Sequence, residues 1–109
     1  MRMILLLPLV LPASCAASMT PIEPAAHVIY RDLALDSPAG RAELRERVTT
    51  AATAYCRERE DQVTPQLLRH DRQYCLTALR DSIARDMPPA VRRAYARSRR
   101  EAGVTGRQL

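Results

Sequence analysis

The sequence predicts a mainly α protein: a disulfide-stapled antiparallel helical hairpin, preceded by one short extended strand and followed by a short basic C-terminal helix. Three observations predict it. Apolar residues recur at helical spacing in two stretches, each opened by a capping residue and a proline. Two cysteines, Cys56 and Cys75, fall on those stretches 19 residues apart. The chain then ends in an arginine-rich segment with helical periodicity. A chain of 109 residues has room for one small domain, which excludes enzymes that need separate cofactor and substrate lobes.

Residues 1–18 are expected to be a secretory leader and not part of the fold. Arg2 gives a positive start, Ile4 to Leu11 an apolar stretch, and Ala13 to Ser18 a run of small residues suited to cleavage. The apolar stretch is far below the ~20 residues of a membrane-spanning helix. Two processing routes stay open. Ordinary cleavage removes Cys15 with the leader; a lipoprotein route lipidates Cys15, although Pro12 stands where such signals carry an aliphatic residue. Either route leaves Cys56 and Cys75 as a pair, and an oxidising compartment favours their disulfide. The spacing lacks the Cys-x-x-Cys pattern of thiol oxidoreductases, so the bond is expected to be a structural staple.

Residues 19–26 carry two prolines and read as a flexible spacer. A helical-hairpin domain is expected over 27–87. It opens with the β-prone run Val28-Ile29-Tyr30, continued to Leu35, in which Val28 and Tyr30 face one way and Ile29 and Arg31 the other. An extra residue before Leu33 predicts a bulge or turn. The chain supplies no second strand, so the open edge at residues 27–31 predicts self-association or pairing with a partner strand.

Helix 1 is expected over about 38–58. Ser37 suits the N-cap, Pro38 the first helical position, and Leu44, Val48, Ala51, Ala52 and Tyr55 make one apolar stripe. The charged run Arg57 to Gln62 reads as a solvated helix end and turn. Thr64-Pro65 is expected to open helix 2, with Leu68, Cys75, Leu79 and Ile83 inside and Leu67, Tyr74 and Ala78 beside them. The register demands either that helix 1 run beyond Cys56 or that helix 2 begin irregularly. The segment 88–109 is expected to form a basic helix and tail, with Val91, Ala94, Tyr95 and Ser98 on one face and Arg93, Arg97 and Arg100 on another.

Charge is placed unevenly. Residues 87–109 hold six arginines against Glu101, while the segment before them is nearly balanced. The complete absence of lysine looks like genome bias, but bias does not explain clustering. Arg92, Arg93, Arg97, Arg99 and Arg100 are therefore the candidate patch for an anionic envelope surface or an acidic protein. Export disfavours nucleic acid as the partner. His27 and His70 stand far apart in sequence, Glu58, Glu60 and Asp61 lack His or Cys at ligand spacing, and no glycine-rich phosphate loop is present. No catalytic residue, cofactor or metal is expected.

The segment Val28-x-Tyr30-x-Asp32-Leu33-x-Leu35-x-Ser37-x-x-Gly40 resembles the opening of the UrcA family. So does its continuation through Leu44, Arg47-Val48, Ala51-Ala52 and Cys56 to Cys75 and an Ala/Leu-rich helix. The resemblance spans about residues 27–86. Ala34, Tyr55 and Arg57 depart from the usual pattern, and the basic tail lies outside it. The resemblance implies a small exported bacterial protein with two cysteines, and brings no activity or site residues. The function expected is that of a non-enzymatic binding or structural protein of the cell envelope, periplasmic or secreted. The alternative is a membrane-surface module docking through its arginines.

Overall fold

The computed structural model describes residues 26–106. The proposed leader, Cys15 and nearly all of the 19–26 spacer lie outside the described residues, as do the last three. Three helices follow one another: α1 over Pro38–Val63, α2 over Arg72–Asp86 and α3 over Pro89–Glu101. α1 is the spine, and both α2 and α3 pack against it.

Helix α1 begins as its sequence dictates. Ser37 is extended, and its Oγ accepts from the Gly40 N–H at 3.0 Å, which satisfies one of the donors a helix start leaves open. Pro38 occupies the first turn. The helix runs to Val63, past the expected end at about 58. Arg59 interrupts it with φ −137° and ψ 32°, and the charged run then continues as helix. Solvation and helicity are compatible there, because Arg and Glu are good helix formers.

Thr64-Pro65 does not open the second long helix. Thr64 caps α1, its N–H donating to the Glu60 carbonyl at 2.8 Å. Pro65 instead precedes a single 3-10 turn, Gln66–Leu68. The N-cap of α2 is Asp71, whose carboxylate accepts from the Gln73 N–H at 3.0 Å. Both ways of resolving the register therefore occur together: α1 extends beyond Cys56, and the approach to α2 is irregular. Leu67, placed beside the inner stripe by sequence, is 86% exposed on that 3-10 turn.

The core is thin and continuous. Leu44, Val48 and Ala52 of α1 meet Cys75, Leu79 and Ile83 of α2, then Met87, Val91 and Tyr95. Cys56 and Cys75 are bonded, with their Cα atoms 5.9 Å apart. The bond joins α1 to α2 in a chain with few large apolar residues to bury, where a covalent staple offsets a small core.

No strand forms among the described residues, which corrects the expectation for 28–35. A β-prone run cannot become a strand without a ladder partner, because its backbone groups must be satisfied in some other way. Here two successive turns take its place. The Leu33 N–H donates to the Tyr30 carbonyl at 3.1 Å, and the Ser37 N–H to the Ala34 carbonyl at 3.1 Å. The side chains alternate as expected at the start of the run: Val28 and Tyr30 are half-buried on the core, Ile29 and Arg31 exposed.

Candidate functional site

The N-terminal segment is bolted to α1 by three devices. Arg47 donates to both Asp32 carboxylate oxygens at 2.8 Å, to the Ile29 carbonyl at 2.9 Å and to Glu43 at 3.0 Å. These bonds hold the Asp32 carboxyl below its ordinary range and raise the Arg47 guanidinium. Second, the Ser37 hydroxyl donates to the Ala34 carbonyl at 2.9 Å. Third, Gly40 leaves room for that carbonyl, which lies where a Cβ would stand. The run from Tyr30 to Gly40 is thus an N-terminal fastening, in which the Asp32 carboxylate and the Ser37 hydroxyl are both engaged in structure.

Beside this fastening lies an open groove of about 430 Å3, between residues 26–31 and the end of α2. Val28 and Tyr30 line one side, Ile83, Asp86 and Met87 the other. Ile29 lines it as well and is 73% exposed. Among the described residues, the N–H groups of His27, Val28 and Ile29 make no backbone hydrogen bond, so this stretch leaves an open edge.

The five arginines of the expected basic patch differ in their partners. Arg92 turns back onto the end of α2, where Nε donates to the Ala84 carbonyl and Nη2 to those of Arg85 and Met87, each at 3.1 Å. It caps the carbonyl-rich, negative end of that helix. Arg99 donates to the Gly106 carbonyl at 2.8 Å. Arg97 pairs with Glu101 at 3.0 Å. Arg93 and Arg100 are exposed and form no ion pair or side-chain hydrogen bond among the described residues. Arg93, Arg97 and Arg100 share one outer stripe of α3 by their i, i+4, i+7 spacing.

Two buried arginines carry no signal in the apolar pattern. Arg41 is 2% exposed, donating to both oxygens of Glu101 and to the Leu35 carbonyl. Arg80 is 6% exposed; Nε and Nη2 donate to Asp81 at 3.1 and 3.0 Å, and Nη1 to the Gly106 carbonyl at 3.1 Å. Met87, read from sequence only as a helix end, is in the core. A period count that scores arginine as polar misses the first two; Met87 is missed because it lies outside either helix.

His27 and His70 are both exposed, and Glu58, Glu60 and Asp61 line a shallow polar dip with Arg57 and Arg69. Among the described residues no three His, Cys, Asp or Glu side chains gather as a metal centre would need, and no helix is long and apolar enough to cross a membrane. The chain matches no family model, no curated protein and no solved structure.

Proposed function

We propose that the chain is an exported, non-enzymatic binding or structural protein of the bacterial cell envelope, built on the UrcA pattern as a disulfide-stapled helical hairpin. Its contact element is the open edge at residues 27–31. The observation that carries this reading is the pairing of free backbone N–H groups with a groove alongside, on a segment anchored at Val28, Tyr30 and Asp32. An anchored extended edge takes an incoming extended segment at little ordering cost. The Cys56–Cys75 bond supports an oxidising destination such as the periplasm. Sedimentation of the mature protein tests the self-pairing form, with Ile29→Pro as the variant that removes an edge donor. Concentration-dependent assembly lost in Ile29→Pro is the expected result. A monomer at all concentrations, with freely exchanging amides at 28–31, overturns self-pairing.

A second reading rests on a different observation. Arg93 and Arg100 face solvent on one stripe of α3, free of internal partners among the described residues. That stripe, with Arg97, would dock on anionic headgroups, and lipid on Cys15 would reinforce it. Binding to anionic vesicles that weakens with salt and requires Arg93 and Arg100 is the outcome this reading demands.

A further inference from the structure

We infer that the groove between the first two turns of α1 and the end of α3 binds a monocarboxylate with an aliphatic chain, and that Arg45 takes the carboxylate. The groove has a volume of about 400 Å3. Pro38, Ala42 and Arg45 line it from α1, and Ser98, Glu101 and Ala102 from the end of α3. Most of its surface is apolar. A concavity of that size, apolar with a few placed polar groups, is the usual build of a small-molecule site. It shares no lining residue with the groove at residues 26–31.

Arg45 supplies the recognising group. The residue is half-buried, and its Nε is shut off from solvent with no hydrogen-bond partner. Among the described residues no carboxylate pairs with it; the ion pairs engage Arg41, Arg47, Arg80 and Arg97. An exposed guanidinium is satisfied by water, whereas a shielded N–H without an acceptor has lost its hydration for no bond. Turning the side chain toward the groove and onto a carboxylate gives Nε and Nη2 two parallel charge-assisted bonds. Binding thus relieves the cost of the shielded N–H.

Charge and shape select the ligand class. Glu101 is the carboxylate that lines the groove, and it does not oppose an anion. Arg41 holds it at 2.7 Å and Arg97 at 3.0 Å, so two cations face its single charge. With Arg45 beside them, the neighbourhood carries an excess of positive charge. One fork matches one carboxylate. A second charge on the ligand would find only Ser98, which is 2% exposed and offers a hydroxyl. Pro38, Ala42 and Ala102 bring no polar side-chain atom and little bulk, which leaves an apolar trough for a chain attached to the carboxylate. An unbranched fatty acid of medium length has both parts.

Octanoate is the probe, titrated into the full chain folded with its disulfide and followed by calorimetry and by the amide signals of Ala42, Ser98 and Ala102. Saturable binding that moves those signals is expected. Octanol, the same alkyl group without the charge, should bind about tenfold more weakly or worse. Arg45→Gln should weaken octanoate by about tenfold or more and leave octanol unchanged. Arg45→Lys, which keeps the charge but loses the fork, should recover only part of the affinity. Ala42→Leu, at an exposed helix position where leucine is a good helix former, fills the trough and should weaken both ligands. Circular dichroism checks that each variant is folded. The site is overturned by a folded parent that shows no saturable binding, or by equal affinity for octanol and octanoate. Loss in Arg31→Gln rather than in Arg45→Gln also overturns it, since octanoate would then sit in the groove at 26–31.

Discussion

Arg41 and Glu101 join the first turn of α1 to the last turn of α3. Arg41 Nε and Nη2 reach the two Glu101 carboxylate oxygens at 3.1 and 2.7 Å, across 60 residues of chain. Arg41 Nη1 adds the Leu35 carbonyl at 3.1 Å, so one buried side chain fastens both the N-terminal turns and the third helix. The arginine bonds hold the Glu101 carboxyl below its ordinary range, as Arg47 does for Asp32. Stability from a carboxyl whose folded pKa is depressed is fully present above its unfolded pKa, and is lost as pH falls through the folded one. The fold should therefore weaken as acid protonates Glu101 and Asp32, below the usual carboxylate range. Urea midpoints measured from neutral to acid pH should fall steeply for the parent. Glu101→Gln/Asp32→Asn should start lower at neutral pH and show a flatter acid limb. An unchanged slope would show that other carboxylates govern it.

The disulfide should contribute stability without governing topology. Closing a loop of 19 residues is worth about 3 kcal/mol in the chain-entropy picture. Cys56→Ser/Cys75→Ser should therefore lose roughly 2–4 kcal/mol in denaturant unfolding while its helical circular dichroism persists below the transition. Alkylation of the parent chain folded under oxidising conditions, without reductant, should label neither Cys56 nor Cys75.

Gly40 offers a test in which propensity and packing predict opposite signs. Alanine is the better helix former by about 1 kcal/mol. Yet the added Cβ would meet the Ala34 carbonyl, backbone that is itself fixed by the Ser37 N–H and hydroxyl. Gly40→Ala should destabilise by about 1–3 kcal/mol, the usual cost of forcing atoms into an occupied site. Ala39→Gly, one position earlier and exposed, provides the comparison from propensity alone. If Gly40→Ala is stabilising, the turn at 34–37 is not held as described.

Much of this fold is legible in the residues. Ser37 and Pro38 mark the start of α1, and the stripe Leu44, Val48, Ala52 is fully buried. Cys75, Leu79 and Ile83 supply the facing stripe, and Val91, Tyr95 and Ser98 the buried face of α3. These are local signals with a single period. What failed was non-local or degenerate. Val28–Leu35 has strand composition, but strand formation depends on a partner that composition does not specify. Thr64-Pro65 carries a helix-start signature, which a 3-10 turn satisfies equally well. The arginine patch was legible as charge and not as geometry, because nothing in the spacing shows that Arg92 turns onto Met87 while Arg93 points away.

That division of the arginines gives the last prediction. Arg92 bonds three carbonyls at the end of α2, so its removal leaves those acceptors to water and weakens the negative helix end. Arg92→Ala should cost about 1–2 kcal/mol in unfolding, at the low end for charged hydrogen bonds because the side chain is exposed. Arg93→Ala/Arg100→Ala should leave stability nearly unchanged, since exposed substitutions without partners usually stay within about 0.5 kcal/mol. Binding to anionic vesicles should show the reverse order. Each arginine near such a surface is worth about 1 kcal/mol, so the Arg93/Arg100 pair should weaken docking by more than tenfold, and Arg92→Ala much less. Parallel unfolding curves and vesicle titrations at low and high salt read both quantities on the same variants. If Arg92→Ala loses docking as strongly as the double variant, the five arginines act as one field and the partition drawn from their hydrogen bonds fails.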